Sequence, residues 1–411
     1  MFTQNDNVRI AVVGGGAAGM MAAGAALALG AEVTIFEHMT HLGKKLAITG
    51  KGRCNVTNAS ELQELLKNIP RNSRFLYSAF STFSSEDTMT FFESMGVRLK
   101  VERGQRVFPE SDKAKDIVDA LRAYSSGATV VYSKVKSVLK NENGFSIIAD
   151  KSYDFDKVII ATGGRSYPLT GSDGSGYRLA MRLGHSVTEL KPSLIPLTSK
   201  SPICPTLQGL SLKNVGIRIV DENEKALYTD FGEMMFTHFG VTGPVILSAS
   251  AHLRDEDISA LTLSIDLKPA LDEKTLDARL LQDFSRNSNK DFINSLGDLL
   301  PSKLIEPFVG YVGIDPRRKV NNITKEERRR ILTGLKDFRI PLYSRRPIEE
   351  AIITSGGIDV KEISPKDMQS RLVPGLYFAG EIIDVDAYTG GFNLQIAFST
   401  GYLAGTNAAM S

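Results

Sequence analysis

Three glycines and one acid carry the clearest chemistry in this 411-residue chain. Gly14, Gly16 and Gly19 stand in G-x-G-x-x-G spacing, and Glu37 follows Gly19 by 18 residues. Glycines so spaced allow a tight turn, close approach of a diphosphate and close helix–strand packing, while a later acid can accept hydrogen bonds from a ribose. Ala17 and Ala18 fall inside the same loop, where small side chains leave backbone N–H groups open to an anion. Other chemistry-bearing residues are fewer. Cys54 and Cys204 form no C-x-x-C pair, and five histidines with two cysteines are too few for a Cys-rich zinc or iron–sulfur site, so no metal is expected. His238, in FTHFG, could donate a proton, and Arg53 could stabilise an anionic ring or an acidic substrate; structural roles compete for both.

The fingerprint needs a strand before it and a helix after it, and the sequence supplies both. Residues 10–13 read as a buried strand, an Ala-rich helix follows, and residues 33–36 form a second strand ending at Glu37. The helix N-terminus brings unpaired N–H groups and partial positive charge to the diphosphate. The uncharged run 10–31 is too rich in Gly and Ala to read as a membrane span or leader.

Two later stretches repeat this logic. Residues 157–164 form a buried strand ending in Ala161-Thr162-Gly163-Gly164, which lets backbone approach a ligand. Residues 376–379 are a short strand followed by Gly380-Glu381, and Gly390-Gly391 then open an apolar helix. A carboxylate there can meet hydroxyls, and the helix N-terminus can face an electron-rich ring. The loop at 41–58 is glycine-punctuated and basic, and reads equally as a solvated turn or an anion cradle.

Between these ends the composition changes. Four prolines fall within residues 190–205, β-patterned segments, with 226–230 and 233–236 as separate strands, continue to about 267, and a charged helical block runs from 272 to about 335. Residues 73–95 are expected to be helical, as are 112–124, and 128–139 to be a strand. The arginine run within 326–330 reads as a solvated helix face. Net charge is only +2, from 49 basic and 47 acidic residues, so nothing global favours nucleic acid or an anionic membrane. Two cysteines without a secretory segment suit a cytoplasmic protein.

The opening fingerprint, GKKLAITGKGRCNVTN, the ATGG strand, FTHFGVTGP and GEIIDVDAYTGGFNLQIAFSTGYLAG together resemble a bacterial family of NAD(P)/FAD-dependent oxidoreductase flavoproteins, with aminoacetone-oxidase-like and bile-acid-pathway reductase-like relatives. The likeness spans essentially the whole chain. It implies an α/β protein: a Rossmann-like FAD-binding domain of the glutathione-reductase type, with an inserted β-barrel-like subdomain and a helical subdomain. Residues 1–190 and 346–411 would bind FAD, 191–270 would form the β-rich substrate subdomain, completed by 340–360, and 271–339 the helical insert.

The resemblance places noncovalent FAD on Gly14, Gly16, Ala17, Ala18, Gly19 and Glu37. Further along the cofactor it places Lys44, Lys45, Thr49, Gly50, Gly52, Arg53, Cys54, Asn55, Val135, Ala161, Thr162 and Gly163. At the carboxyl end it places Gly380, Glu381, Gly391, Asn393, Leu394 and Gln395. Tyr388 and Phe392 stand where the family more often has Gly and Tyr, which bears on the substrate pocket. Expected catalytic residues are Arg53 and His238. The implied activity is FAD-dependent hydride transfer with a small organic substrate, NAD(P)H serving as a transient donor, and no nucleic acid or membrane partner. A flavin-dependent RNA-modifying enzyme and a redox-sensing flavoprotein are the alternatives. Only one dinucleotide fingerprint exists, so any nicotinamide is expected to share the substrate pocket, giving ping-pong kinetics.

Overall fold

A computed structural model describes residues 7–411. The chain divides into two compact units, one of residues 1–193 and 347–411, the other of 194–346.

The first unit is built on a five-stranded parallel sheet. Its strands are β1 (Arg9–Val13), β2 (Glu32–Phe36), β3 (Thr129–Val131), β4 (Lys157–Ile160) and a last strand, Leu376–Phe378. Across the sheet the order is Leu376–Phe378, β4, β1, β2, β3. Every neighbour is parallel, and Val13 pairs with both Ile160 and Phe36. The carboxyl ends of these strands are therefore level, and the loops leaving them converge. Continuous apolar runs such as Ile159 and Ile160 are what a sheet covered on both faces requires.

Helix α1 (Ala17–Leu27) has no polar face because it is enclosed on all sides, from Ala18 through Ala26. Its main partner is the closing helix Phe392–Met410. The two approach so closely that a Cβ on Gly401 would lie 2.5 Å from the Ala18 carbonyl oxygen, and one on Gly405 2.1 Å from that of Ala22.

The second unit carries a seven-stranded antiparallel sheet with helices. Its strands are β5 (Leu197–Thr198), β6 (Ser211–Val220), β7 (Ala226–Thr237), β8 (Gly240–Thr242), β9 (Thr262–Asp266), β10 (Phe338–Pro341) and β11 (Ser344–Arg345), in the order β10-β9-β6-β7-β8-β5-β11. A one-turn helix, Ile203–Thr206, and four longer ones accompany it: α2 (Pro244–His252), α3 (Glu273–Arg286), α4 (Ser302–Val312) and α5 (Lys325–Lys336). Its core is separate from that of the first unit, with Phe236, Leu263, Phe308 and Phe338 fully buried.

Three local expectations are corrected. Residues 73–95 are not one helix: the chain breaks at Phe83, and Ser84 with Asp87 forms a reciprocal capping box that starts a new helix, Ser85–Ser94. The run 128–139 is split between β3 and a strand of a separate antiparallel sheet, Ser137–Asn141, because its alternation spans two elements. The segments read as separate strands within 226–236 are one, β7. Its pairing with β6 shifts register between Leu212 and Val215, and Gly232 takes the place opposite Val215, at a site where a Cβ would press within 2.8 Å of Val245.

Candidate functional site

The sheet's carboxyl edge gathers the residues expected to hold a cofactor. Gly14 turns sharply at φ 107°, and a Cβ there would sit 2.5 Å from the Ala161 carbonyl oxygen; one on Gly19 would sit 1.9 Å from the Gly14 oxygen. A Cβ on Gly16, at the N-cap of α1, meets nothing within 4 Å. Two glycines thus serve close packing and the third faces open space, which is the arrangement a diphosphate needs at a helix start. Ala17 and Ala18 form the first turn of α1.

Glu37 closes this loop. Its Oε2 accepts from the Gly15 N–H at 2.9 Å and its Oε1 from Met39 N–H at 2.7 Å. Each oxygen keeps a lone pair for a ribose hydroxyl, so the carboxylate is already oriented by backbone before any ligand arrives.

Glu381 is held still more tightly, by Lys45 and by two residues that sequence reasoning did not find. Lys45 Nζ lies 2.6 Å from Oε2. Oε1 accepts from Thr354 N–H at 2.9 Å and from Ser166 Oγ at 3.0 Å, and Lys45 also reaches Ser166 at 2.7 Å. Lys45, Ser166, Thr354 and Glu381 thus form one charged knot from four distant segments. No spacing in the chain signals Ser166 or Thr354.

The basic loop supports the cradle through backbone geometry. Gly50, Lys51, Gly52 and Cys54 all have positive φ, and Thr49 Oγ1 donates to the Leu46 carbonyl. Lys44 points to solvent. The Asn55 amide accepts from Gly391 N–H at 3.0 Å and donates to the Thr57 and Val107 carbonyls, tying this loop to the start of the closing helix. Asn393 and Gln395 turn their side chains inward: Asn393 brackets the Ala387 backbone, and Gln395 engages Thr57, Phe83 and Ser399. Leu394 is half-buried beside them. Ala161 N–H bonds Val13, Gly163 adopts φ 72°, Gly380 donates to Thr400, Thr162 packs against Gly176, and Val135 is buried in the core of the first unit.

Arg53 has different partners from those expected of a catalytic cation. Its guanidinium lies 2.5 Å from Glu102 and 2.6 Å from Asp112, over the Phe108 ring at 4.3 Å. Both carboxylates are shared with Lys100, at 4.0 Å from Glu102 and 2.8 Å from Asp112, so Arg53 stands in a four-membered charge cluster. His238 belongs to the second unit, exposed in the turn between β7 and β8, its ring edge-on to Phe239.

Cys54 is fully buried, and burial pushes its thiol up to about 12. It is therefore a packed small residue, and native protein at about pH 8 should resist a thiol reagent that modifies it on unfolding. Rapid labelling of Cys54 in folded protein would contradict this.

The loop after Glu381 buries two further carboxyls. Asp386 accepts from Ser193 Oγ at 2.7 Å and Ser355 Oγ at 2.9 Å, and burial raises its carboxyl above the usual 3.8. Asp384 Oδ2 lies 3.6 Å from Arg71, while its Oδ1 and the nearby Tyr177 hydroxyl are buried without a partner among the described residues. A carboxyl raised by folding makes its ionisation harder in the folded than in the unfolded chain. Stability from this group is therefore intact below the unfolded value and is lost as pH rises through the folded one. Asp386→Asn, which keeps both serine contacts, should melt no lower than the parent at neutral pH. It should also remove part of the loss of stability that accompanies rising pH above the unfolded value. A melting profile against pH that is parallel in both proteins would exclude the assignment.

No group of three or more His, Cys, Asp or Glu side chains is placed to hold a metal among the described residues, and no helix among them is long and apolar enough to cross a membrane.

Residues 8–407 match the family model described as HI0933-like protein Rossmann domain. The chain is 31% identical over 396 residues to a ribosomal RNA dihydrouridine synthase of Escherichia coli, covering 95% of each. It is 29% identical over 409 residues to a 3-dehydro-bile acid delta(4,6)-reductase of Clostridium scindens, covering 98% of this chain and 99% of that one. Among solved structures, a 3-ketosteroid-delta4-(5alpha)-dehydrogenase from Rhodococcus jostii shares the fold with a TM-score of 0.53 at 14% identity, over 100% of this chain and 98% of that chain.

Proposed function

The chain belongs to the HI0933-like Rossmann family and is an FAD-dependent oxidoreductase, and we propose that its reaction is reduction of a carbon–carbon double bond conjugated to a carbonyl. The observation that carries this is the cradle itself: Gly16 facing open space, Glu37 oriented for a ribose and Glu381 fixed for a hydroxylated chain, in one unit with one fingerprint. When bound there, the flavin supplies a hydride. The two relatives named above point to the same bond type. A 3-oxo group activates the double bonds of a bile-acid Δ4,6 system, and the uracil carbonyl activates the bond whose saturation gives dihydrouridine.

This chain's residues supply the positioning. Glu37 and Gly16 hold the nucleotide half, and Lys45 keeps the Glu381 carboxylate pointed so that it can accept from a hydroxyl. Asn55 and Asn393 fix the start of the closing helix, whose N-terminus favours negative charge nearby. In the overall reaction the β-carbon gains the hydride and the α-carbon gains a proton, two electrons coming from a reduced nicotinamide or an equivalent donor.

Two substrates fit this bond. A small unsaturated ketone is the first reading. A uracil ring in RNA is the second, favoured by the 31% identical relative, 95% of whose length the chain matches. The test is anaerobic incubation of the holoprotein with NADH or NADPH and, in separate arms, a conjugated steroid ketone and unmodified ribosomal RNA. A gain of two hydrogens in either substrate supports the reading. Donor oxidation without any such product in either arm sinks it.

A further inference from the structure

The near-zero net charge of the chain conceals a strongly uneven distribution. Residues 194–220, 234–254 and 338–348 contain no aspartate or glutamate, although 47 acids occur among the 411 residues. Every charged side chain in those three segments is basic. The fold of the second unit brings their ends together. Strand β5 pairs with β8 on one side and β11 on the other, with Thr198 opposite both Gly240 and Ser344. One step further, Ser199 N–H donates to the Phe239 carbonyl at 2.9 Å and Tyr343 N–H donates to the Thr198 carbonyl at 2.8 Å. Phe239, Ser199 and Tyr343 therefore form one row across three strands, with the small serine between two aromatic rings.

Each ring carries a cation. Lys200 Nζ lies 3.5 Å from the Tyr343 centroid, and the Arg346 guanidinium lies 4.6 Å over Phe239, which also meets the His238 ring edge-on at 5.0 Å. Tyr343 is 47% exposed, and Lys200 and His238 are exposed. No described ion pair involves Lys200 or His238. None of the three adjoining segments offers Lys200 a carboxylate.

We propose that this row is a binding platform for single-stranded RNA, with a base against Tyr343 or the Arg346–Phe239 pair and the adjoining phosphate on Lys200. The proposal rests on the RNA reading of the substrate given above. Alternating aromatic faces and cations are what sequence-tolerant single-strand binding uses, because every base has a π-face and every linkage a charge. A free dinucleotide fits less well. Its diphosphate is best held by a glycine loop at a helix start, whereas the platform is made of strand ends.

The test uses the FAD-loaded protein and fluorescence anisotropy of a labelled oligouridylate over a range of salt. Lys200→Ala should weaken binding and lower the log–log salt slope by about 0.7, the value for one phosphate contact on a single strand. Lys200→Glu should weaken it further. Tyr343→Leu should weaken binding about tenfold with the slope unchanged, because stacking releases no counterions. FAD content and melting temperature serve as controls that the variants are folded. Parent-like affinity and slope in these variants would overturn the platform, as would failure of the parent to bind the oligouridylate. If the variants reduce ribosomal RNA with the parent's KM, the platform is wrong while the RNA reading stands. If instead they raise KM for NADPH alone, the row belongs to the electron donor and the proposal fails.

Discussion

Glu37→Arg should purify without the yellow colour of the parent, and Glu37→Ala should hold FAD more weakly by roughly 1.5–3 kcal/mol, the worth of a charge-assisted hydrogen bond. The arginine variant does worse for a structural reason. In the native loop Glu37 accepts from both Gly15 and Met39 N–H groups. A guanidinium cannot accept from either, so both donors lose their partner and a positive charge replaces the ribose acceptor. Because Gly15 lies inside the fingerprint, the turn that presents Gly16 loosens at the same time. Isothermal titration of apoprotein with FAD measures the difference, and FMN serves as the comparison because it lacks the adenosine ribose. Equal FAD affinity in parent, alanine and arginine proteins would remove Glu37 from the site.

Gly405→Ala should destabilise the first unit, although alanine is the better helix former by about 1 kcal/mol. Propensity alone gives the opposite sign. The added Cβ, however, would stand 2.1 Å from the Ala22 carbonyl oxygen, in backbone that cannot rotate away. The helices must separate, at a cost typical of overpacked cores, roughly 3 kcal/mol, which exceeds the propensity gain. Gly401→Ala meets the Ala18 oxygen at 2.5 Å and should behave alike. Gly310, within α4, is the internal control: its Cβ would meet nothing within 4 Å. Gly310→Ala should therefore stabilise slightly, by about 0.5–1 kcal/mol. Thermal melting of the three variants decides the matter, and a stabilised Gly405→Ala would show that the helix contact is looser than the distances state. FAD affinity should fall in the first two, since α1 carries the fingerprint at its start.

Much of the cofactor cradle was legible in the chain because its parts are local. Gly14, Gly16, Gly19 and Glu37 belong to one strand–turn–helix–strand unit, where glycine spacing and hydrophobic period dictate geometry over a few residues. The strands ending at Ala161 and at Gly380 could be read in the same way, as short buried runs closed by small residues. Arg53 marks the first limit. Its basic loop gives no sign that Glu102 and Asp112 will pair with it, because the partners lie 49 and 59 residues away. The knot around Glu381 marks a second, since Lys45, Ser166 and Thr354 reach it over separations of 336, 215 and 27 residues.

Charge shows the same division most sharply. Counting gives a net value of +2, which argues against a polyanionic partner, and that count is correct. What counting omits is position: only the pairing of β5 with β8 and β11 brings three acid-free segments to one sheet edge and sets Lys200 on Tyr343. By itself the sequence determined which nucleotide-binding unit forms, because that unit is held by neighbours along the chain. Tertiary structure alone decided which charges remain free, because a charge is neutralised by what lies within a few ångströms in space, and long-range strand pairing sets those distances.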